Sequence, residues 1–150
     1  MMKAIAPSMM AVLLPATLLT HQLEEYFGEF PRWYSDLLNA NLSNQDFLII
    51  NGIGLLIISI VALSYLFNKN NVLLAALGTL IFTNGIVHLL LSLFTFSYSP
   101  GTISGVVLFL PLGIIIFKRI LPLLRQGEKI LAISIGVIAL FTVSVIAMNM

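Results

Sequence analysis

Residues 47–67 read FLIINGIGLLIISIVALSYLF, an apolar run that contains no Asp, Glu, Lys or Arg. A helix needs about 20 apolar residues to cross a bilayer, so this run is long enough for one span. Charge-free runs follow at 72–98, 101–117 and 130–150, and Pro111 in the run 101–117 predicts a kink or a steep tilt. With the apolar segment at the N-terminus, they predict an all-α bundle in one membrane domain. Its five transmembrane helices cover about 5–27, 46–67, 72–97, 102–118 and 129–148.

The composition supports an integral membrane protein. Hydrophobic residues make up 59% of the 150 residues and charged residues 9%, whereas soluble domains carry roughly 25% charged residues. We therefore expect a multi-pass protein of the cell membrane with the lipid bilayer as its main partner. A signal peptide is the alternative for the first run, but Pro15 interrupts it. The absence of cysteine excludes disulfides and thiolate ligands, and the net charge of +1 gives no sign of nucleic-acid binding.

The basic residues predict the orientation of the bundle. Six of the seven lie on the side of the N-terminus and only Arg32 lies on the other; the six are Lys3, Lys69, Lys118, Arg119, Arg125 and Lys129. By the positive-inside rule the N-terminus is cytoplasmic and the C-terminus extracytoplasmic. The outer loop, 28–45, contains an amphipathic stretch that Pro31 is well placed to start as a short helix. It is either an aromatic belt at the membrane surface or a lid over a site.

The first helix ends in a candidate metal site, His21-Gln22-Leu23-Glu24-Glu25. Positions i, i+3 and i+4 share a helix face, so an imidazole and two carboxylates converge there. Zinc hydrolases with an H-x-x-E-H helix use both histidines as ligands and the glutamate as general base. By analogy His21 and Glu25 bind the metal and Glu24 polarises a water on it, or the two glutamates exchange roles. Zn, Fe(II) and Mn all suit such ligands.

The third predicted helix carries a second polar pair, Asn84 and His88, four residues apart on one face. His88 lies about 15 Å and His21 about 9 Å below the outer end of their helices, and Asn51 lies in the same layer. We predict that these groups meet in one extracytoplasmic pocket. His88 is then a further metal ligand, and Asn84 orients it or the substrate. The alternative is that the histidine and asparagines only hold helices together through hydrogen bonds.

The chain between the third and fourth spans reads Tyr98-Ser99-Pro100-Gly101, which predicts a tight type II turn. The Tyr98 hydroxyl is thereby placed near the pocket, either as an interfacial anchor or as a hydrogen-bond donor to a substrate or oxyanion. Small-residue pairs predict close helix packing, namely Gly101 with Gly105 and Ala132 with Gly136.

These motifs resemble the HXXEE family of membrane proteins over about residues 13–120. His21 to Glu25 matches its H-x-x-E-E motif, Asn84 to His88 its N-x-x-x-H motif and Tyr98 to Gly101 its Y-x-P-G motif, in the same order. The resemblance implies a small multi-spanning protein suspected of being an enzyme. The motif positions are His21, Glu24, Glu25, Asn84, His88, Tyr98, Pro100 and Gly101; Asn51 lies outside them.

The leading hypothesis is a metal-dependent membrane enzyme, a hydrolase rather than an oxidoreductase. Its substrate is a lipid or a small molecule near the membrane, at the outer leaflet. The first alternative is a proton- or cation-coupled transporter or channel, whose relay should continue through the cytoplasmic half. That half offers few polar groups, although a homo-oligomer could supply a path. The second alternative is a non-catalytic membrane subunit.

Overall fold

A computed structural model describes residues 5–149, which form six helices and no strand. The all-α prediction is therefore confirmed; Lys3, used above for the orientation, lies outside the described residues. The helices are α1 (Pro7–Phe27), α2 (Phe30–Leu38), α3 (Asn44–Asn68), α4 (Asn71–Thr95), α5 (Thr102–Leu123) and α6 (Gln126–Met148).

Four of these helices, α3 to α6, are long and apolar enough to cross a membrane. Helix α1 is 21 residues long, but the polar side chains of its last two turns lower its mean hydropathy. The prediction of a membrane protein is thus supported by four helices, and the fifth span remains a prediction.

Local sequence signals determine where the spans begin. The Ser43 hydroxyl accepts a hydrogen bond from the Asp46 backbone N–H at the start of α3, as an N-cap residue does. The Asn70 side chain accepts from the backbone of Val72 and Leu73 at the start of α4. Lys69 takes up the left-handed conformation between α3 and α4, so these two helices reverse direction within a short turn.

Helix α4 is the central helix of the bundle. Half of its most apolar stretch is buried, against 11% for α3 and for α6. Helix α6 approaches it closely at Gly136, where a Cβ would lie 2.5 Å from the Ala76 carbonyl oxygen. The outer faces of α3 and α6 expose large apolar side chains such as Leu56, Ile60 and Phe141, which is the surface expected next to lipid.

Helix α5 is irregular near its start. Residues Gly105–Phe109 form a π-helical segment just before Pro111. Proline cannot donate the usual backbone hydrogen bond, and π-helical segments are frequent at functional sites. Here Gly105 packs against Gly85 of α4, since a Cβ on Gly105 would lie 3.2 Å from the Gly85 Cα. The helix continues past the predicted end at 118 and finishes in a 3₁₀ turn, Leu121–Leu123.

The polar motifs collect at one end of the bundle. The C-terminal ends of α1, α4 and α6 lie there together with the start of α3 and of α5, because contacts join His21 to Ser104 and Tyr34 to Ser144. The short helix α2 covers this end. The rest of the described interior is mostly apolar, with a core that includes Leu14, Leu74, Ile81, Ile116 and Ile120; the buried Thr79 hydroxyl there donates to the Ala75 carbonyl oxygen of its own helix.

Candidate metal centre

Three buried side chains converge at the motif end of the bundle, namely His21 and Glu25 of α1 and His88 of α4. The Glu25 Oε1 atom lies 3.3 Å from His88 Nε2 and 3.5 Å from His21 Nε2. The three groups offer ligand atoms that all lie within 4.8 Å of one another. The H-x-x-E-E and N-x-x-x-H motifs thus meet through their histidines and second glutamate.

The spacing fits a small divalent ion. A tetrahedral zinc with bonds of about 2.0–2.1 Å separates its ligand atoms by about 3.3–3.4 Å. The two distances to the Glu25 oxygen match that separation. The His21 Nε2 atom is buried and has no hydrogen-bond partner among the described residues, which is costly for a polar atom unless something binds it. Three protein ligands would leave one position open, as in catalytic zinc sites.

Two serines bind the remaining nitrogen of each imidazole. His21 Nδ1 lies 2.8 Å from the Ser104 hydroxyl, and His88 Nδ1 lies 3.1 Å from the Ser99 hydroxyl. Ser104 Oγ also lies 3.4 Å from the Gly101 carbonyl oxygen, and when it donates its proton there it accepts the Nδ1 proton of His21. In that tautomer the Nε2 lone pair of His21 is free to bind a metal, which is the arrangement that neighbouring hydrogen bonds impose in metal sites.

Gly101 lies directly against both imidazoles. Its φ is +98°, and together with the hydrogen bond from Thr102 N–H to the Ser99 carbonyl this makes residues 99–102 the predicted type II turn. A Cβ on Gly101 would lie 2.8 Å from His21 Cε1 and 2.9 Å from His88 Cε1. The glycine is thus required by its conformation and by the space that the histidines leave. The pair of Gly101 and Gly105 predicted helix packing at Gly101, whereas the glycine lies in the turn against the two imidazoles.

Pro100 fixes the same turn to α1. A Cβ on Gly28 would lie 2.7 Å from the Pro100 Cβ, so the proline ring packs directly on the end of α1. Pro100 is fully buried. This contact places the Y-x-P-G turn over the histidines.

Glu24 points away from the three-residue group and binds the start of α5. Its carboxylate accepts hydrogen bonds from the backbone N–H groups of Gly101, Ile103 and Ser104 and from the Tyr98 hydroxyl. A carboxylate at the N-terminal end of a helix satisfies free N–H groups and interacts favourably with the helix dipole. In this structure the two adjacent glutamates therefore do different things: Glu25 faces the histidines and Glu24 anchors α5.

Tyr98 also belongs to this anchor. Its hydroxyl donates to Glu24, and it is absent from the residues that line the cavity described below. Burial and the neighbouring Glu24 carboxylate raise the pKa of Tyr98 to about 12, because both disfavour the phenolate. Tyr98 thus keeps its proton at physiological pH and holds the turn in place.

A cavity of about 130 Å³ opens beside the three-residue group. His21, Glu25, His88, Asn84 and Asn51 lie in its otherwise mostly apolar wall. The Asn84 Oδ1 atom is buried without a hydrogen-bond partner among the described residues. The Asn51 side chain, by contrast, is held by the Gln22 side chain at 3.0 Å. Asn84 is therefore the amide available to a molecule in the cavity.

Helix α2 forms the roof of this cavity. The Phe30 ring lies 5.7 Å from the His88 ring, and the Tyr34 hydroxyl donates to the Ser144 carbonyl oxygen of α6. Burial raises the pKa of Tyr34. The sequence allows the outer loop to be either an aromatic belt or a lid over a site, and the position of α2 over the cavity fits a lid. Glu29 and Asn39, at the two ends of α2, are both in the left-handed conformation.

Two serines and an aromatic residue of the site were not identified from the sequence. Ser99 occupies the variable position of the Y-x-P-G motif, and Ser104 lies in the first turn of α5. The sequence signal that could have identified them is the position of both serines beside the turn that follows His88. Phe109 packs its ring 4.3 Å from that of His21, and nothing in the sequence distinguishes it from other apolar residues of α5.

The comparison with protein families supports the motif assignment. The model of a family described as "Protein of unknown function with HXXEE motif" matches residues 12–116. No curated protein and no solved structure matches the chain.

Proposed function

The chain belongs to the HXXEE family, and we propose that it is a metal-dependent hydrolase embedded in the cell membrane, acting on a lipid or membrane-near substrate at the outer leaflet. The observation that supports this most is the buried group of His21, Glu25 and His88, in which both distances from a histidine nitrogen to the Glu25 oxygen match those of a zinc site. Buried ionisable groups at membrane depth are costly and are usually functional.

A bound Zn, Mn or Fe(II) ion would act as a Lewis acid on a substrate carbonyl or phosphoryl oxygen. The chain supplies the surroundings. Ser104 and Ser99 hold the imidazoles in orientation, and Gly101 closes one side of the group. Asn84 is placed to bind the substrate or a developing negative charge through its amide. Glu24 and Tyr98 act as positioning residues, since they hold the turn that carries Ser99 and Gly101.

We further infer that α1 is the fifth span, with the N-terminus in the cytoplasm. Its 21 residues extend about 32 Å at 1.5 Å per residue, close to the 30 Å hydrocarbon thickness of a bilayer. The site then lies towards the outer leaflet. The basic residues Lys69, Lys118, Arg119, Arg125 and Lys129 belong to the opposite ends of the helices, in agreement with the positive-inside rule.

The packing favours an enzyme over a transporter. A proton or ion path would need polar groups from the site to the basic end of the bundle. Between these ends the described core is built mainly from apolar side chains such as Leu14, Leu74 and Ile116, and the buried Thr79 hydroxyl is bound to the Ala75 carbonyl oxygen of its own helix. The polar cluster is thus a pocket at one end, which suits a site for a bound substrate better than a conducting path.

The test is metal-dependent hydrolysis by the protein purified in detergent. The protein is stripped with a chelator, reloaded separately with Zn, Mn or Fe(II), and incubated with lipid esters, amides and phosphoesters. We expect hydrolysis by one reloaded form and none by the stripped form or by Glu25→Gln. Glu29→Gln, at an exposed glutamate, is the matched control and keeps the activity. Hydrolysis that survives complete metal removal would contradict the proposal.

A further inference from the structure

The cavity at the metal group has a polar end and an apolar body. Its apolar wall includes Ile50 of α3, Leu91 of α4 and Leu140 and Ala147 of α6. At the polar end two buried atoms have no hydrogen-bond partner among residues 5–149, His21 Nε2 and Asn84 Oδ1. If the metal takes His21 Nε2, the amide of Asn84 is left for the ligand. A molecule that satisfies this cavity has one hydrogen-bonding group and one apolar group.

The cavity wall has buried side chains on the side of α2 and exposed side chains on two apolar helices. On the outer side it is roofed by Phe30, Tyr34 and Leu42, and the last two are buried. The wall residues that the chain leaves exposed include Val87 of α4 and Val143 of α6, both within membrane-spanning helices. In the orientation proposed above these residues face lipid, so a molecule dissolved in the bilayer would meet the cavity wall from the side.

The volume limits what the cavity encloses. At about 130 Å³ it is slightly smaller than a cavity of roughly 150 Å³ that holds benzene. It thus encloses about six carbon atoms, and the remainder of a longer chain must lie outside, along the membrane face of α4 and α6. A lipid with two adjacent chains at its reacting group would need about twice this space.

We propose that the cavity binds a single-chain lipid that carries a hydroxyl or amide N–H next to its reacting group. That donor bonds to Asn84, and the first part of the chain lies against Ala147. This inference rests on the proposed function for the metal, but the binding of the lipid requires no turnover. It narrows the substrate to an amphiphile that arrives through the membrane.

The proposal is tested with a monoacylglycerol carrying a photoreactive diazirine in its acyl chain, and with the same lipid methylated on both hydroxyls. Protein in lipid nanodiscs is irradiated with each probe, and the labelled residues are mapped by mass spectrometry. We expect saturable labelling of α4 and α6 beside the cavity, about tenfold tighter for the hydroxyl probe because an unpaired buried acceptor is costly. Asn84→Ala should bring the two affinities together.

Ala147→Phe fills the cavity and should abolish saturable labelling. Ile146→Phe is its control, because Ile146 is exposed on the same helix and does not line the cavity. Equal affinity of wild type for the two probes, or saturable labelling that Ala147→Phe leaves intact, would overturn the proposal. The outcomes distinguish the lipid site from the metal-dependent hydrolase. Saturable labelling in a protein that binds no metal retains the lipid site and rejects the metalloenzyme, whereas metal binding without saturable labelling does the reverse.

Discussion

Substitution of Glu24 or Glu25 by Gln should have opposite effects: the first should lower Tm and keep the metal, and the second should keep Tm and lose the metal. In Glu24→Gln, the new amide nitrogen faces the Ser104 N–H that now donates to Oε2, so two donors meet. The other oxygen keeps its three donors, Tyr98 and the N–H groups of Gly101 and Ile103, but loses its charge. Charge-assisted hydrogen bonds are roughly twice as strong as neutral ones, whose net contribution is about 1 kcal/mol.

The three weakened bonds and the lost bond to Ser104 would cost about 5 kcal/mol together, and because Glu24 is only half-buried, water recovers part of this. We expect a loss of about 2 kcal/mol in the free energy of unfolding, which lowers Tm by roughly 4–8 °C for a chain of this size. Metal stoichiometry should be retained, because the three ligand residues are unchanged. Glu25→Gln should keep the Tm of the stripped protein, since it replaces a buried charge by a neutral group of the same shape, and should lose the metal.

The assay combines thermal unfolding, followed by circular dichroism on chelator-treated protein, with metal content after reloading. Both variants are made in the same background and purified in the same detergent. Loss of metal in Glu24→Gln with an unchanged Tm, together with retained metal in Glu25→Gln, would mean that the roles of the two glutamates are the reverse of those described here.

Further predictions concern the turn and the tautomer. Gly101→Ala should weaken metal binding and lower Tm, because the new Cβ would meet both imidazoles at a residue with a positive φ. Gly127→Ala, which has open space around it, should change neither. Metal titration and thermal unfolding measure both effects. Ser104→Ala should reduce metal affinity about 10- to 100-fold by releasing the His21 tautomer, measured by competition with a chromophoric chelator, and an unchanged affinity would argue against the tautomer assignment. An ultraviolet pH titration should show a phenol with a pKa of about 12 that Tyr98→Phe removes. Since that pKa is raised by folding, its stabilising contribution is full below about pH 10 and is lost as pH rises through 12; a titration unchanged by the substitution would contradict it.

The fold could be predicted largely from the charge-free runs, because hydrocarbon excludes charges and requires helices. The described helices α3, α4 and α6 end within about three residues of the predicted spans. The π-helical segment of α5 could not be predicted, because it depends on the contact between Gly105 and Gly85 across two helices. Whether α1 spans the membrane cannot be decided from hydropathy, since the polar residues that form the site also lower the mean hydropathy of α1.

The site could be predicted in outline, because a helix places residues i and i+4 together wherever it lies. His21 with Glu25 is such a pair. The different orientations of Glu24 and Glu25 could not be predicted, because both lie on the same side of α1 and only the position of the Y-x-P-G turn separates them. The link from His88 to Ser99 depends on that turn as well.

Elemental analysis by mass spectrometry tests the central claim most directly. Wild-type protein purified in detergent is compared with His21→Ala and His88→Ala, with folding checked by circular dichroism. We predict one equivalent of zinc, manganese or iron per chain in wild type and its loss in both folded variants, since each variant removes one of three ligands. Wild type that holds no metal even after reconstitution, or variants that keep it, would contradict a metal centre between α1 and α4.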